Sequence, residues 1–374
     1  MKDIKLYLSG LIVILLVFVS CSNKSVSNKE EIVIEDAKNV NESELLFNFI
    51  NKSGDLINTK KSPSVIRAED LIDVVDKSLI IDIRSNDYYV DGHINGAINV
   101  KAKDLIEFMG TKANPSTFEK VVLVGYTGQT SSYYTALLRF LGYGNVYSLK
   151  YGMCAWSSKI EPRKWQQNIS NKYATLIETK NNPKGKNNNY PQIKTNKTKG
   201  YDILKARINE VANDGFGKAL IKIDKLMEEK DKYYIINYWP VKNYNIGHIK
   251  GAIHYEPRVS MATDKFLNTL PTDKPIVIYC YVGHHSPFLV AYLRILGYDV
   301  YSLAYGANSF MYDKMKREIG HTFNAADDIN DFPLVAGEKP SDKKVSVQEN
   351  SSANNKPKKL IHKKKKKAGA EGGC

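Results

Sequence analysis

Cysteine is scarce in this 374-residue chain: four residues, at positions 21, 154, 280 and 374, with no Cys-x-x-Cys pair among them. That spacing removes the dithiol motif on which thiol–disulfide exchange depends. Basic segments interleaved with aromatics are also missing, so the formal charge of +14 does not point to nucleic acid. Its placement explains it: residues 339–374 hold eleven lysines against Asp342, Glu349 and Glu371, so +8 sits in the C-terminal tail and the remainder is only mildly basic. Apolar runs long enough for a comfortable membrane span are lacking too. The run from Leu6 to Ser20 covers fifteen residues, against the roughly 20 that a span needs. What remains is globular in composition, 43% hydrophobic and 25% charged, and long enough for two domains with proper cores.

The chain contains one unit written twice. Gly92-His93-Ile94-Asn95-Gly96-Ala97-Ile98 returns as Gly247-His248-Ile249-Lys250-Gly251-Ala252-Ile253, at an offset of 155. Leu138-Arg139-Phe140-Leu141-Gly142 returns as Leu293-Arg294-Ile295-Leu296-Gly297 at the same offset, and over residues 125–142 eight of eighteen positions are identical without a gap. Val146-Tyr147-Ser148-Leu149 echoes Val300-Tyr301-Ser302-Leu303 after a one-residue slip.

Each unit reads as alternating strand and helix. Leu79–Ile83 and Tyr234–Tyr238 are short apolar strands. Val121–Val124 and Ile276–Tyr279 are continuous apolar runs, the pattern of strands covered on both faces. Helices are expected after each loop, with starts at Ser131 and Ser286, Pro287 at a first helical position, and C-terminal caps at Gly142 and Gly297. This order implies parallel pairing and a doubly wound α/β sheet in each unit.

The two copies differ at one chemically decisive position. Cys280 closes Pro275-Ile276-Val277-Ile278-Tyr279 and opens the loop Tyr281-Val282-Gly283-His284-His285-Ser286; the matching position in unit one is Gly125. A thiol between a strand end and a helix N-terminus sits where dipole and free backbone N–H groups favour thiolate. An inert core cysteine is the competing reading. Cys154 reads as core packing. His93 and His248 read as satisfying backbone groups in turns. His284 and His285 read as exposed loop residues, with no metal site. Residues 181–199, rich in Asn and Lys with Pro and Gly, read as a linker.

These motifs resemble tandem rhodanese domains, the thiosulfate sulfurtransferase superfamily. The resemblance rests on Gly-His-Ile-x-Gly-Ala-Ile, on Cys280-x-x-Gly283-x-x-Ser286, on Tyr151-Gly152 and Tyr305-Gly306 followed by Trp156 and Phe310, and on Asp82-x-Arg84. It implies a non-catalytic domain 1 over 62–180 and a catalytic domain 2 over 200–335. It further implies a Cys280 persulfide, an anion cradle from the backbone of Tyr281, Val282, Gly283, His284, His285 and Ser286, no cofactor, and a sulfane-sulfur donor with a thiol acceptor, among them a protein sulfur carrier. Unit two departs from the pattern, with Asn237 and Trp239 in place of Asp-x-Arg and His285 where an Arg is common; Arg258 is a substitute cation. The related phosphatase branch needs an arginine after five intervening residues, and position 286 is Ser. A docking module with two degenerate domains is the alternative function.

The N-terminus resembles a bacterial lipoprotein signal. Lys2 and Lys5 precede the apolar run, which ends Phe18-Val19-Ser20-Cys21. The resemblance implies a signal peptide over 1–21, lipid on Cys21, a polar tether over 22–61 and an extracytoplasmic, membrane-anchored protein. With Cys21 so modified, three thiols remain, an odd number that argues against a disulfide framework and for a reactive thiol. The tail, 336–374, reads as disordered and ends Gly372-Gly373-Cys374. That ending resembles the swinging arm of sulfur-carrier proteins, which implies Cys374 as a carrier of sulfur from Cys280. A coil of this length spans roughly 30 Å. A solubilising tail with a functionless thiol stands beside that reading.

Overall fold

The structure, a computed structural model, describes residues 41–337. Cys21, the expected signal segment, the first part of the expected tether and nearly all of the tail with Cys374 lie outside the described residues.

Two five-stranded parallel sheets carry the two units. The first is built from β1 (Val65–Ile66), β2 (Ser78–Asp82), β3 (Ile98–Asn99), β4 (Lys120–Val124) and β5 (Val146–Leu149), in the order β1-β5-β4-β2-β3. After β6 (Ile177–Glu178) comes the second, from β7 (Leu220–Ile221), β8 (Tyr234–Asn237), β10 (Ile253–His254), β11 (Ile276–Tyr279) and β12 (Val300–Leu303), in the matching order β7-β12-β11-β8-β10. β9 (His248–Ile249) lies apart from that sheet and pairs antiparallel with β6. The centre of each sheet is the continuous apolar run that the sequence marks. β4 pairs with β2 and β5, β11 with β8 and β12, and Val121–Val124 and Ile276–Tyr279 are fully buried. With helices on both faces, such strands need no polar side, hence the absence of alternation. In a doubly wound sheet the crevice beyond the C-terminal strand ends is where ligands bind. Residues 125 and 280 are the first beyond β4 and β11.

The helices after those loops span Gln129–Phe140 and His285–Ile295. They begin before the expected serines, and neither Ser131 nor Ser286 caps them. Each hydroxyl instead bonds a serine of the following strand, Ser131 to Ser148 at 2.7 Å and Ser286 to Ser302 at 2.9 Å. Burial decides this, because a sealed hydroxyl takes the nearest buried partner. Gly142 and Gly297 do end these helices, at φ +98° and +95°.

One sequence reading, that of the tether, is changed by the structure. The tether is not polar throughout, since Glu42–Ser53 forms a helix with Leu46, Phe47 and Ile50 buried and Asn41 as its N-cap. Overall polarity hides the i, i+4 spacing of Leu46 and Ile50, which makes an apolar stripe. This helix packs on the helix Gly200–Asp214. Residues 181–199 carry no regular element yet are fastened along unit two and the first helix. Asn182 donates to the Ala252 carbonyl at 3.0 Å, Asn188 N–H to the Asn268 carbonyl at 2.7 Å, and Ser43 to the Pro191 carbonyl at 2.7 Å. The stretch reads as linker by composition, but its amides find backbone partners.

The units also exchange straps. Ser170 N–H bonds the Asn308 carbonyl, and β6 adds to unit two through β9. In return, residues 331–335 lie on unit one, where Trp156 donates to the Pro333 carbonyl at 3.0 Å and His93 bridges Val335. One apolar cluster runs through both units, joining Tyr133, Leu137 and Phe140 to Phe288, Leu289 and Tyr292. Phe140 and Tyr292 stack with centroids 5.4 Å apart.

Candidate active site

Cys280 stands where the sequence places it, one residue past β11 and beneath the start of the 285–295 helix. Its Sγ accepts the Ser286 N–H at 3.4 Å, and the Ser286 hydroxyl lies 3.6 Å away. Gly306 closes the loop from below. A Cβ there would sit 2.4 Å from the Cys280 carbonyl oxygen, and its φ is +55°. Gly152 holds the same post in unit one, 2.3 Å from the Gly125 carbonyl oxygen. Gly125 itself is under no such constraint: a Cβ there meets nothing closer than Ser131 Oγ at 3.4 Å. Backbone geometry therefore does not demand the Gly125/Cys280 difference.

The surroundings of Sγ differ from expectation in three ways. First, the thiol is enclosed; Cys280 has no exposed surface, and every residue from Cys280 to Ser286 is buried. Second, the cradle is partly filled. At Gly283, φ +71°, a Cβ would lie 2.8 Å from Oε1 of Gln129, a residue of unit one. Third, His284 and His285 are buried rather than exposed. Burial pushes the pKa of each down to about 3, with Lys150 adding to the effect on His284 and Arg258 to that on His285. Both imidazoles are neutral at physiological pH and lend the sulfur no positive charge.

One loop also packs on the other. His284 Nε2 accepts the Tyr151 N–H at 2.7 Å, and Gln129 Oε1 accepts the Tyr305 N–H at 2.8 Å. Gln129 and His284 are the same position of the repeat, and Tyr151 and Tyr305 another, so the contact is reciprocal in the manner of a two-fold interface. Each side chain is braced within its own loop, Gln129 Nε2 to Thr127 Oγ1 at 3.1 Å and His284 Nδ1 to the Val282 carbonyl at 3.3 Å. With Nε2 accepting, the proton of His284 is on Nδ1. Ser132 adds a bond to the His284 carbonyl at 2.5 Å.

Arg258 adopts φ +62°, with its backbone N–H on Tyr238 Oη at 3.0 Å and its Nε on the Ser62 carbonyl at 2.8 Å. The Ser62 hydroxyl meets His285 Nε2 at 3.4 Å, and Tyr238 packs edge-on against the His285 ring. Arg258 thus lies on the His285 side of the loop and ties it to unit one. In unit one, Asp82 and Arg84 form a buried ion pair at 2.7 Å, and Arg84 also reaches the Gly92 carbonyl at 2.6 Å. In unit two Trp239 stacks on Tyr281, with centroids 5.0 Å apart, and Asn237 donates to Tyr279 Oη. Among the described residues, the buried Asn237 Oδ1 and Trp239 Nε1 find no hydrogen-bond partner. His93 and His248 bond the Tyr89 and Tyr244 carbonyls at 2.8 Å and stack on those rings. Cys154 is buried, its thiol pushed up to about 11 by burial. Among the described residues no three His, Cys, Asp or Glu side chains converge as metal ligands.

Gln129, Tyr305 and Ser62 escape a reading of the Cys280 loop alone. The offset of 155 carries the signal for Gln129, since a duplicated fold brings like surfaces together.

The profile described as the rhodanese-like domain matches residues 67–159 and 222–313. The thiosulfate sulfurtransferase GlpE of Shewanella oneidensis is 35% identical over 77 residues, 21% of this chain and 73% of that protein. An uncharacterized protein of Buchnera aphidicola subsp. Schizaphis graminum is 30% identical over 93 residues, 25% of this chain, which spans 63% of that protein's length. Among solved structures, SseA of Escherichia coli, a 3-mercaptopyruvate sulfotransferase, is 17% identical over 64% of this chain and 97% of its own, with a TM-score of 0.23. The family assignment rests on the sequence matches. With the profile found once in each unit, and a relative matched over most of its length, the chain belongs to the rhodanese-like domain family.

Proposed function

We propose that the chain is a sulfurtransferase that carries sulfane sulfur on Cys280, with domain 1 non-catalytic. The observation that carries this reading is the sulfur's position: past the central strand, at the N-terminus of an eleven-residue helix, with the Ser286 N–H on Sγ. Likeness to a thiosulfate sulfurtransferase over 77 residues supports it. The Cys280 thiol loses its proton to solvent, and the thiolate attacks the outer sulfur of a donor such as thiosulfate. The S–S bond of the donor breaks, sulfite leaves with the bonding electron pair, and Cys280 carries the persulfide. An acceptor thiolate then attacks the terminal sulfur, and Cys280 thiolate leaves. Backbone N–H groups suit both anionic stages. Domain 1 has Gly125 at the position of Cys280, and its one thiol, Cys154, is buried and pushed up to about 11. Because Sγ is enclosed in the described conformation, the donor enters only when the loop contact parts.

A second reading has its own support. The burial of Cys280, the replacement of the Asp-x-Arg pair by Asn237 and Trp239, and the neutrality of His284 and His285 all fit a non-catalytic docking module. Sulfur transfer from thiosulfate or mercaptopyruvate to cyanide, wild type against Cys280→Ser, separates the two. Turnover lost in the variant supports the enzyme; no turnover with either donor supports the module. Lipid anchoring through Cys21, the extracytoplasmic location and the carrier role of Cys374 are part of the proposal and rest on sequence.

A further inference from the structure

We propose that Gln129, from the domain without a catalytic thiol, is the gate of the Cys280 site. It stands in the space over Gly283 and must leave before an anionic donor can use the loop. The proposal rests on Cys280 as the sulfur carrier. Three observations carry it. Gln129 Oε1 lies where a side chain on Gly283 would begin, 2.8 Å from that Cβ position. The same oxygen takes the Tyr305 N–H at 2.8 Å, a backbone donor beside Gly306, which itself abuts the Cys280 and Tyr281 carbonyls. And Cys280, three residues before Gly283, has no exposed surface.

Chemistry favours a gate over a permanent wall. A glutamine oxygen satisfies the Tyr305 N–H, which lies beside the loop, without bringing charge, so an oxygen or sulfur of thiosulfate or of the persulfide can take its place on that donor. In the closed position Gln129 Nε2 is also held by Thr127 Oγ1, a bond that opening must break as well. The motion needed is a side-chain rotation. Separation of the domains is unnecessary, and the shared apolar cluster opposes it. His284 makes the mirror-image contact over Gly128, where a Cβ would lie 2.8 Å from its Nε2. The two loops therefore hold each other shut, and a domain that cannot react controls entry to the one that can.

The test is alkylation of the full-length protein by iodoacetamide, quantified at each cysteine by peptide mass spectrometry, with Cys154 as internal reference because it is buried in domain 1. Losing the hydrogen bond to Tyr305 shifts opening by about tenfold, so Gln129→Ala is expected to raise the labelling rate of Cys280 about tenfold and leave Cys154 unchanged. Gln129→Glu keeps an acceptor for Tyr305 but adds a negative charge. It is expected to leave labelling by neutral iodoacetamide near wild type while slowing sulfur transfer from thiosulfate. Equal labelling of Cys280 in Gln129→Ala and wild type overturns the gate. So does a parallel rise at Cys154, which signals general loosening. Labelling that rises as expected without any sulfur transfer leaves the gate standing and removes the sulfurtransferase reading instead.

Discussion

Around Cys280, backbone and side chain impose separate demands, and two glycines tell them apart. Gly306 sits at φ +55° with no room for a Cβ, whereas Gly125 has ordinary contacts and an unstrained φ. Gly306→Ala should cost about 2 kcal/mol or more, read from urea unfolding, while Gly125→Ala should be neutral or stabilise by about 0.5 kcal/mol. Similar losses at both positions would mean that unit one needs its glycine for shape. Histidine chemistry gives a second residue-level test. Burial pushes the pKa of His284 and His285 down to about 3, from the ordinary histidine value of 6.5. The unfolded chain therefore binds more protons between those limits. Their contribution is complete above about pH 6.5 and is lost as pH falls toward 3, by roughly 1 kcal/mol per pH unit per histidine. His284→Gln, which copies the residue at the matching position, should flatten the fall between pH 6.5 and 5, where carboxylates contribute little. An unchanged slope would contradict a buried, neutral His284. The thiol and its loop were legible in the sequence because Cys280 and Gly283 carry local constraints. The enclosure was not, since His284 and His285 look like exposed loop residues until unit one is laid on them.

Elements with strong periodicity or continuous burial were legible as strands and helices. β4 and β11 declare themselves as apolar runs, and Gly142 and Gly297 mark helix ends through their positive φ. Elements whose role depends on a distant partner were hidden. The serine hydroxyls look like helix caps because their partners Ser148 and Ser302 lie in the next strand. Glu42–Ser53 looks like tether because only its buried side, with Leu46 at 0% exposure, is apolar. If the helix is part of the fold, Leu46→Ala should destabilise it by about 2–4 kcal/mol, measured by urea unfolding. No change would return the segment to the tether.

At the scale of the molecule, duplication followed by interlocking is the organising fact. Residues 170–193 run over the second unit, 331–335 return to the first, and one apolar cluster serves both. Such a body should unfold in a single calorimetric transition, with Cys280→Ser unaffected in cooperativity; two separable transitions would mean that the units are independent. The repeat made the two domains legible. The straps were not, because segments without regular structure carry no periodic signal. The interlocking also sets the surroundings of the proposed site, since the loop of the unit with Gly125 packs on the loop that carries Cys280. The most direct measurement is mass analysis of the full-length protein after thiosulfate treatment and alkylation, resolved by peptide. The account predicts one added sulfur atom on Cys280, acquired faster in Gln129→Ala. A Cys280 that alkylates freely in that variant yet never carries added sulfur would contradict it.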